Sequence, residues 1–196
     1  MRRQDLEERM GATRPCGARI GRLLCIAMAA GLLAAPATFA APAIAVRLDQ
    51  LPQQWHEDDG RLATFADWAG RRIVLTMAYV GCRKTCPATL GKLQHLQRQL
   101  DARGETAEIV VVGYDPEAEG PAAWHRYRTR HGLLRPNWHF LSGTRGDTEQ
   151  FARLLGFGFW KYDDHVVHDA RVVMFDARGV LSVEAEPGSP VWLAVL

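Results

Sequence analysis

Cysteine is scarce in this chain, and an excess of charge of either sign is absent. Of the four cysteines in 196 residues, Cys16 and Cys25 lie in the first forty and only Cys82 and Cys86 fall in the body of the protein. That excludes the disulfide-dense scaffolds of small secreted domains. Residues 1–41 hold six of the 24 basic and three of the 22 acidic residues, leaving 18 and 19 for the rest. A body so close to neutral offers no electrostatic footprint for nucleic acid or an extended anionic partner. No internal repeat or low-complexity tract interrupts it, and the Pro-x-x-x-Thr-x-x-Cys pattern of thiol peroxidases is missing, which argues against peroxide reduction. With 47% hydrophobic residues, the body is ample for one globular domain of ordinary size.

What is present begins with a leader. Arg14, Arg19 and Arg22 precede an uncharged run from Leu23 to Val46 that passes the small residues Ala40, Ala41 and Ala43. This order predicts an export signal over residues 1–43, cleaved or retained as a membrane anchor. The apolar stretch before Pro36 is short for a span of about 20 residues, which favours cleavage. Asp5, Glu7 and Glu8 are atypical of a basic leader and point to Met10 as the start of translation. Cys16 precedes the apolar run, and Cys25 lacks the small residue that lipid attachment needs before it, so neither reads as functional. The remaining domain, 44–196, is therefore expected in the periplasm or on the outer face of the inner membrane. In such a compartment an isolated cysteine pair becomes a disulfide unless a thiol reductant or a metal holds it open.

Cys82 and Cys86 sit in Gly81-Cys82-Arg83-Lys84-Thr85-Cys86-Pro87, directly after the β-like run Ile73–Tyr79. If helix follows, the four-residue spacing brings both thiols to one face. Paired soft ligands suit Cu(I), and the same geometry permits a disulfide, so copper and redox chemistry are both open. A helix N-terminus together with Arg83 and Lys84 predicts thiolate over thiol.

Trp55–Ala63, with Asp58-Asp59-Gly60 at its centre, reads as a hairpin, and Thr64–Trp68 as a short turn before the strand at Ile73–Tyr79. Leu90, Leu93, Leu96 and Leu100 give helical spacing over Pro87–Arg103, closed by Gly104. Glu108–Tyr114 carries the continuous Ile109-Val110-Val111-Val112 of a strand buried on both faces. A helix from Gly120-Pro121 to about Arg130, a strand at Trp138–Leu141 and a helix at Asp147–Leu155 follow. Arg171–Asp176 and Val180–Glu184 form a closing hairpin, after which Pro190–Leu196 leaves little for a final helix. The order predicts an α/β, thioredoxin-like fold with an added N-terminal hairpin and a C-terminal β-hairpin. Trp124, Trp138, Phe157, Phe159 and Trp160 are expected in core or loop packing. His56, His95, His125, His131 and His139 share no spacing with the cysteines and read as scaffold.

Cys82-x-x-x-Cys86-Pro87 after the first central strand, Asp115-Pro116-Glu117 after the second and Leu141-Ser142-Gly143-Thr144-Arg145 after the third resemble the Sco/SenC family. These are copper-binding, thioredoxin-fold proteins that serve assembly of the copper site of cytochrome c oxidase, and the resemblance spans Gln53 to Glu184. It implies a third copper ligand, a histidine eight residues before an acidic or glycine position and eleven before the hairpin glycine. His168 fits without a gap against Asp176 and Gly179, whereas His165 requires a three-residue insertion although it has the Asp164-His165 step usual in the family. Asp115 matches an acidic position that the resemblance places near the metal loop as an accessory. Arg83-Lys84-Thr85 departs from the proline and acid common between the family's cysteines. With two thiolates and an imidazole, the added cations favour Cu(I), with Cu(II) possible.

The resemblance therefore implies a copper metallochaperone rather than an enzyme. Its copper would go to an apo subunit of cytochrome c oxidase or another copper protein. The alternative is a thiol-disulfide oxidoreductase in which Cys82 and Cys86 exchange with a partner's oxidised cysteines.

Overall fold

The computed structural model describes residues 46–185 apart from Gln53, Lys84 and Asp164. The export signal and the closing segment Pro190–Leu196 read from the sequence lie outside the described residues. Among the described residues no helix is long and apolar enough to cross a membrane.

The chain runs β1 (Trp55–Glu57), β2 (Leu62–Ala63), β3 (Ile73–Ala78), α1 (Thr85–Arg103), β4 (Glu108–Gly113), α2 (Pro121–His131), β5 (Trp138–Ser142) and α3 (Arg145–Leu155). It continues with β6 (Phe159–Tyr162), β7 (His165–His168), β8 (Val172–Phe175) and β9 (Leu181–Ala185). Seven strands form one sheet in the order β2-β1-β5-β4-β3-β8-β9, and β6 pairs with β7 as a separate ribbon. β3, β4 and β5 are parallel at the centre, while β8 joins β3 and β1 joins β5 antiparallel. This is the expected thioredoxin-like arrangement, extended by the N-terminal hairpin.

The central strands are apolar without interruption because both of their faces are covered. Alternation then sorts their side chains. Ile73, Leu75, Met77, Val110 and Val112 pack on one face with Trp55, Phe65 and Phe151, while Val74, Ala78, Ile109 and Val111 pack on the other with α1 and α2. Leu90, Leu93, Leu96 and Leu100 are the buried stripe of α1, as their spacing predicted, and Gly104 ends the helix at a left-handed φ of 67°. α1 begins at Thr85 rather than Pro87, which brings Cys86 into its first turn. α3 begins at Arg145 rather than Asp147, because Thr144 caps it by accepting a hydrogen bond from the Asp147 N–H at 3.2 Å.

Two differences from the sequence reading concern 159–168. No strand was expected there, yet Phe159–Tyr162 and His165–His168 pair in register with Tyr162 opposite His165. Trp160 is 60% exposed on this ribbon rather than packed, because the alternation that turns Phe159 toward the core turns its neighbour to solvent. Trp124, Trp138 and Phe157 are buried as expected.

His139, in the middle of β5, is enclosed by two carboxylates. Its Nδ1 lies 3.2 Å from Glu57 and its Nε2 2.9 Å from Glu108, with Trp68 against the ring. Burial opposes the imidazolium, but the hydrogen bonds to Glu108 and Glu57 prevail and raise its pKa. For Glu108, burial opposes the carboxylate, and the bonds from His139 and Arg71 outweigh it and lower its pKa. The histidine's contribution is thus complete below the unfolded value of about 6.5 and fades as pH rises through the raised folded value. That of Glu108 is present above the ordinary carboxylate range and fades as pH falls through its lowered value. Urea unfolding from pH 5 to 9 should show stability declining above about 6.5. In His139→Leu that decline should become shallower, the buried Glu119 still contributing to it, with a loss near pH 6 of about 1–3 kcal/mol from two buried carboxylates left short of a donor.

Candidate metal centre

β3 ends at Ala78, and the chain turns through Tyr79–Gly81 before α1, with the Cys82 N–H donating to the Tyr79 carbonyl at 3.0 Å. Both sulfurs receive backbone donors there. The Cys86 N–H donates to Cys82 Sγ and the Tyr79 N–H to Cys86 Sγ, each at 3.2 Å. Cys86 is 2% exposed among Val74, Ala78 and Leu90, whereas Cys82 is half-buried at the rim. Neither is in a disulfide.

The ribbon supplies the third group. Its inward residues are Phe159, tilted on Tyr114 with ring centroids 5.1 Å apart, Val166 against the core, and His168. Its outward residues Trp160, Tyr162 and His165 are exposed. Asp163 makes the turn with a φ of 50°, a conformation that a short polar side chain tolerates. His168 stacks on Tyr114 at 4.6 Å and 28°, and its Nε2 lies 3.2 Å from Cys86 Sγ. Its Nδ1 is 2.8 Å from the Asp169 carbonyl, which only accepts, so the proton sits on Nδ1 and the Nε2 lone pair faces the sulfurs. The ligand atoms of Cys82, Cys86 and His168 all lie within 4.8 Å of one another. Among the described residues, no other such group forms.

The expectation of an acidified pair is not met at Cys86. Burial pushes its thiol well above the ordinary range, the Tyr79 N–H pulls it down, and the neighbouring Cys82 adds to the rise. Arg83 is exposed, where solvent screens its charge, and Lys84 lies outside the described residues. A metal ion reverses this balance, since a coordinating thiol is deprotonated outright.

Asp115, the proposed accessory, does not join the three ligands. Its carboxylate is near Lys161 of the ribbon, with Oδ2 3.7 Å from Nζ, so it bears on the element that carries His168 rather than on the sulfurs. His165 is exposed on the outward face. Of the histidines read as scaffold, His139 and His125 pair with acids, and none of the five joins the cluster. Sequence reading missed Glu119. It is fully buried, and burial pushes its pKa up to about 8 against the hydrogen bonds from the Asp115 and Val80 amides. Nothing in the linear pattern separates it from Glu117, which is exposed and paired with Arg145.

A thioredoxin-like fold carrying two cysteines and a histidine at the carboxyl ends of its central strands defines the class. The sequence matches SCO1/SenC over residues 51–187, more than half of the chain, and the chain belongs to that family. Solved structures share the fold. A SCO1/SenC family lipoprotein from Bacillus anthracis aligns with a TM-score of 0.68 at 18% identity over 74% of this chain and 90% of its own. BsSco, described as a member of the Sco family of cytochrome c oxidase assembly proteins with a disulfide switch, aligns at 0.66 and 19% identity over 78% and 91%. Yeast Sco1 with copper bound aligns at 0.63 and 20% identity over 74% and 84%. Comparison with curated protein sequences gives no match.

The unequal burial of the two thiols has a direct consequence. In the reduced, metal-free protein, iodoacetamide should modify Cys82 at least about tenfold faster than Cys86, because reaction needs an accessible thiolate. Peptide mass spectrometry over a time course measures both rates, and equal rates would contradict the burial described.

Proposed function

We propose that this domain is a copper metallochaperone that binds one copper ion through Cys82, Cys86 and His168 and passes it to an apo subunit of cytochrome c oxidase or another copper protein. The observation that carries the reading is the convergence of two sulfurs with an imidazole that turns its Nε2 toward them. Thiolate and imidazole donors suit copper, and two thiolates leave a site of charge minus one with Cu(I) and zero with Cu(II). Copper bound to yeast Sco1 and the oxidase-assembly role given for BsSco support the same cargo and recipient.

The burial gradient suggests an order of transfer. Cys82 and His168 lie at the half-buried rim and Cys86 beneath them, so incoming ligands displace the first two before the last. Once copper departs, burial returns the proton to Cys86 and opposes recapture. Dithiol exchange, the alternative, has no use for His168, and the buried Cys86 thiol works against it. The leader-like residues 14–43 support action outside the cytoplasm, with a thiol reductant keeping the pair open.

Replacing both Cys82 and Cys86 by serine should abolish stoichiometric copper in the reduced domain under a competing Cu(I) chelator. His168→Ala should weaken binding by at least about 10–100-fold, the loss usual when even outer partners of a metal ligand are removed. His165→Ala should do much less. Unaltered affinity in His168→Ala would defeat the three-ligand site and advance the reductase reading. A reporter fused after Leu196 should be active only on the periplasmic side, and cytoplasmic activity would exclude export.

A further inference from the structure

A single carboxylate links the two halves of the cysteine and histidine cluster. Glu119 is fully buried between α2 and the ends of the central strands. The Val80 N–H donates to its Oε1 at 2.5 Å and the Asp115 N–H to its Oε2 at 2.8 Å. Its own N–H donates to the Asp115 carbonyl at 2.8 Å, and its carbonyl accepts from the Ser142 hydroxyl. Room for the carboxylate comes from Gly113, where an added Cβ would lie 2.7 Å from Oε2.

What the carboxylate joins matters more than that it is satisfied. Val80 is two residues before Cys82, and Asp115 directly follows Tyr114, the ring on which His168 stacks. One oxygen therefore holds the cysteine loop and the other holds the platform of the imidazole. A buried carboxyl group is costly unless its lone pairs are filled. Here the two filling donors come from different loops, so their separation is set by the width of one carboxyl group.

We infer that Glu119 is a positioning residue that keeps the Cys82 and Cys86 thiols in register with His168 for copper. This rests on the copper reading above. A residue that merely stabilised the fold would lower the unfolding temperature and affect copper equally whether or not His168 is present. A residue that sets sulfur against imidazole acts only through His168.

The test is a double-mutant cycle on the reduced domain, with Cu(I) affinity read by chelator competition. Glu119→Gln is nearly isosteric but turns an amide N–H₂ toward one of the two backbone donors. It should weaken Cu(I) binding about tenfold, toward the low end of the loss on removing outer-sphere support. The same substitution in His168→Ala should produce no further loss. Glu119→Asp keeps the carboxyl group on a shorter arm and should fall between Gln and the unaltered protein; it carries the same cycle if Glu119→Gln does not fold. In the Cu(II)-loaded form, imidazole nitrogen couplings in the EPR spectrum should weaken in Glu119→Gln and return in part in Glu119→Asp. Unaltered affinity in the Glu119 variants while His168→Ala is weakened would overturn the positioning role alone, as would equal losses in both backgrounds. Unaltered affinity in His168→Ala would remove the three-ligand site and this role with it.

Discussion

The parallel pairing of β3 with β4 is the constraint on which the site depends. In register, Ala78 stands beside Gly113, and the Tyr114 N–H continues the ladder to the Ala78 carbonyl at 3.0 Å. Both strands therefore release their chains at the same edge of the sheet. One leads to the cysteines, the other to Tyr114 and Asp115. Crevices at the carboxyl ends of parallel strands are where α/β sheets gather ligands, and here the crevice is narrow enough for the turn before α1 and the loop before α2 to share a carboxylate.

At that edge, two opposing tendencies act on the same sulfurs. The Tyr79 N–H, in the turn after β3, favours thiolate at Cys86, while the apolar surroundings favour thiol, and burial is the larger effect. A site balanced this way holds a neutral, poorly nucleophilic thiol when empty and a thiolate when a cation is present. Binding is then coupled to proton release rather than to a standing negative charge. That suits the proposed carrier role, in which a buried thiol would have to stay unreactive between cargoes.

The histidine arrives by a different route. The ribbon of β6 and β7 stands outside the main sheet and is held by Phe159 on Tyr114, Val166 on the core and Lys161 near Asp115. All three anchors and His168 occupy one face, since alternation leaves Trp160, Tyr162 and His165 on the other. The three-residue step between His165 and His168 is thus a change of face. A strand places residues an odd number apart on opposite sides, so only one of the two histidines can meet the sulfurs.

Much of this was legible in the chain itself. Continuous apolar runs at Ile73 and Glu108 specified strands buried on both faces, the leucines of α1 specified its stripe, and four-residue spacing at a strand-to-helix junction specified the paired sulfurs. Such features are local, and each depends on a period that the backbone imposes. The ribbon at 159–168 carries no such local signal, since neither Phe159-Trp160-Lys161-Tyr162 nor His165-Val166-Val167-His168 alternates and the turn between them lacks the glycine that usually marks a hairpin. What only the tertiary structure decided are the long-range terms. The charge balance of Cys86 depends on how deeply the packed strand and helix bury it, which outweighs the adjacent cations that sequence displays. Glu119 differs from Glu117 only in which side of a short loop faces the sheet. His168 lies 82 residues from Cys86 and comes within 3.2 Å of it because a ribbon folds back over Tyr114. No period in the sequence encodes that distance; the packing of the two loops against one sheet edge does.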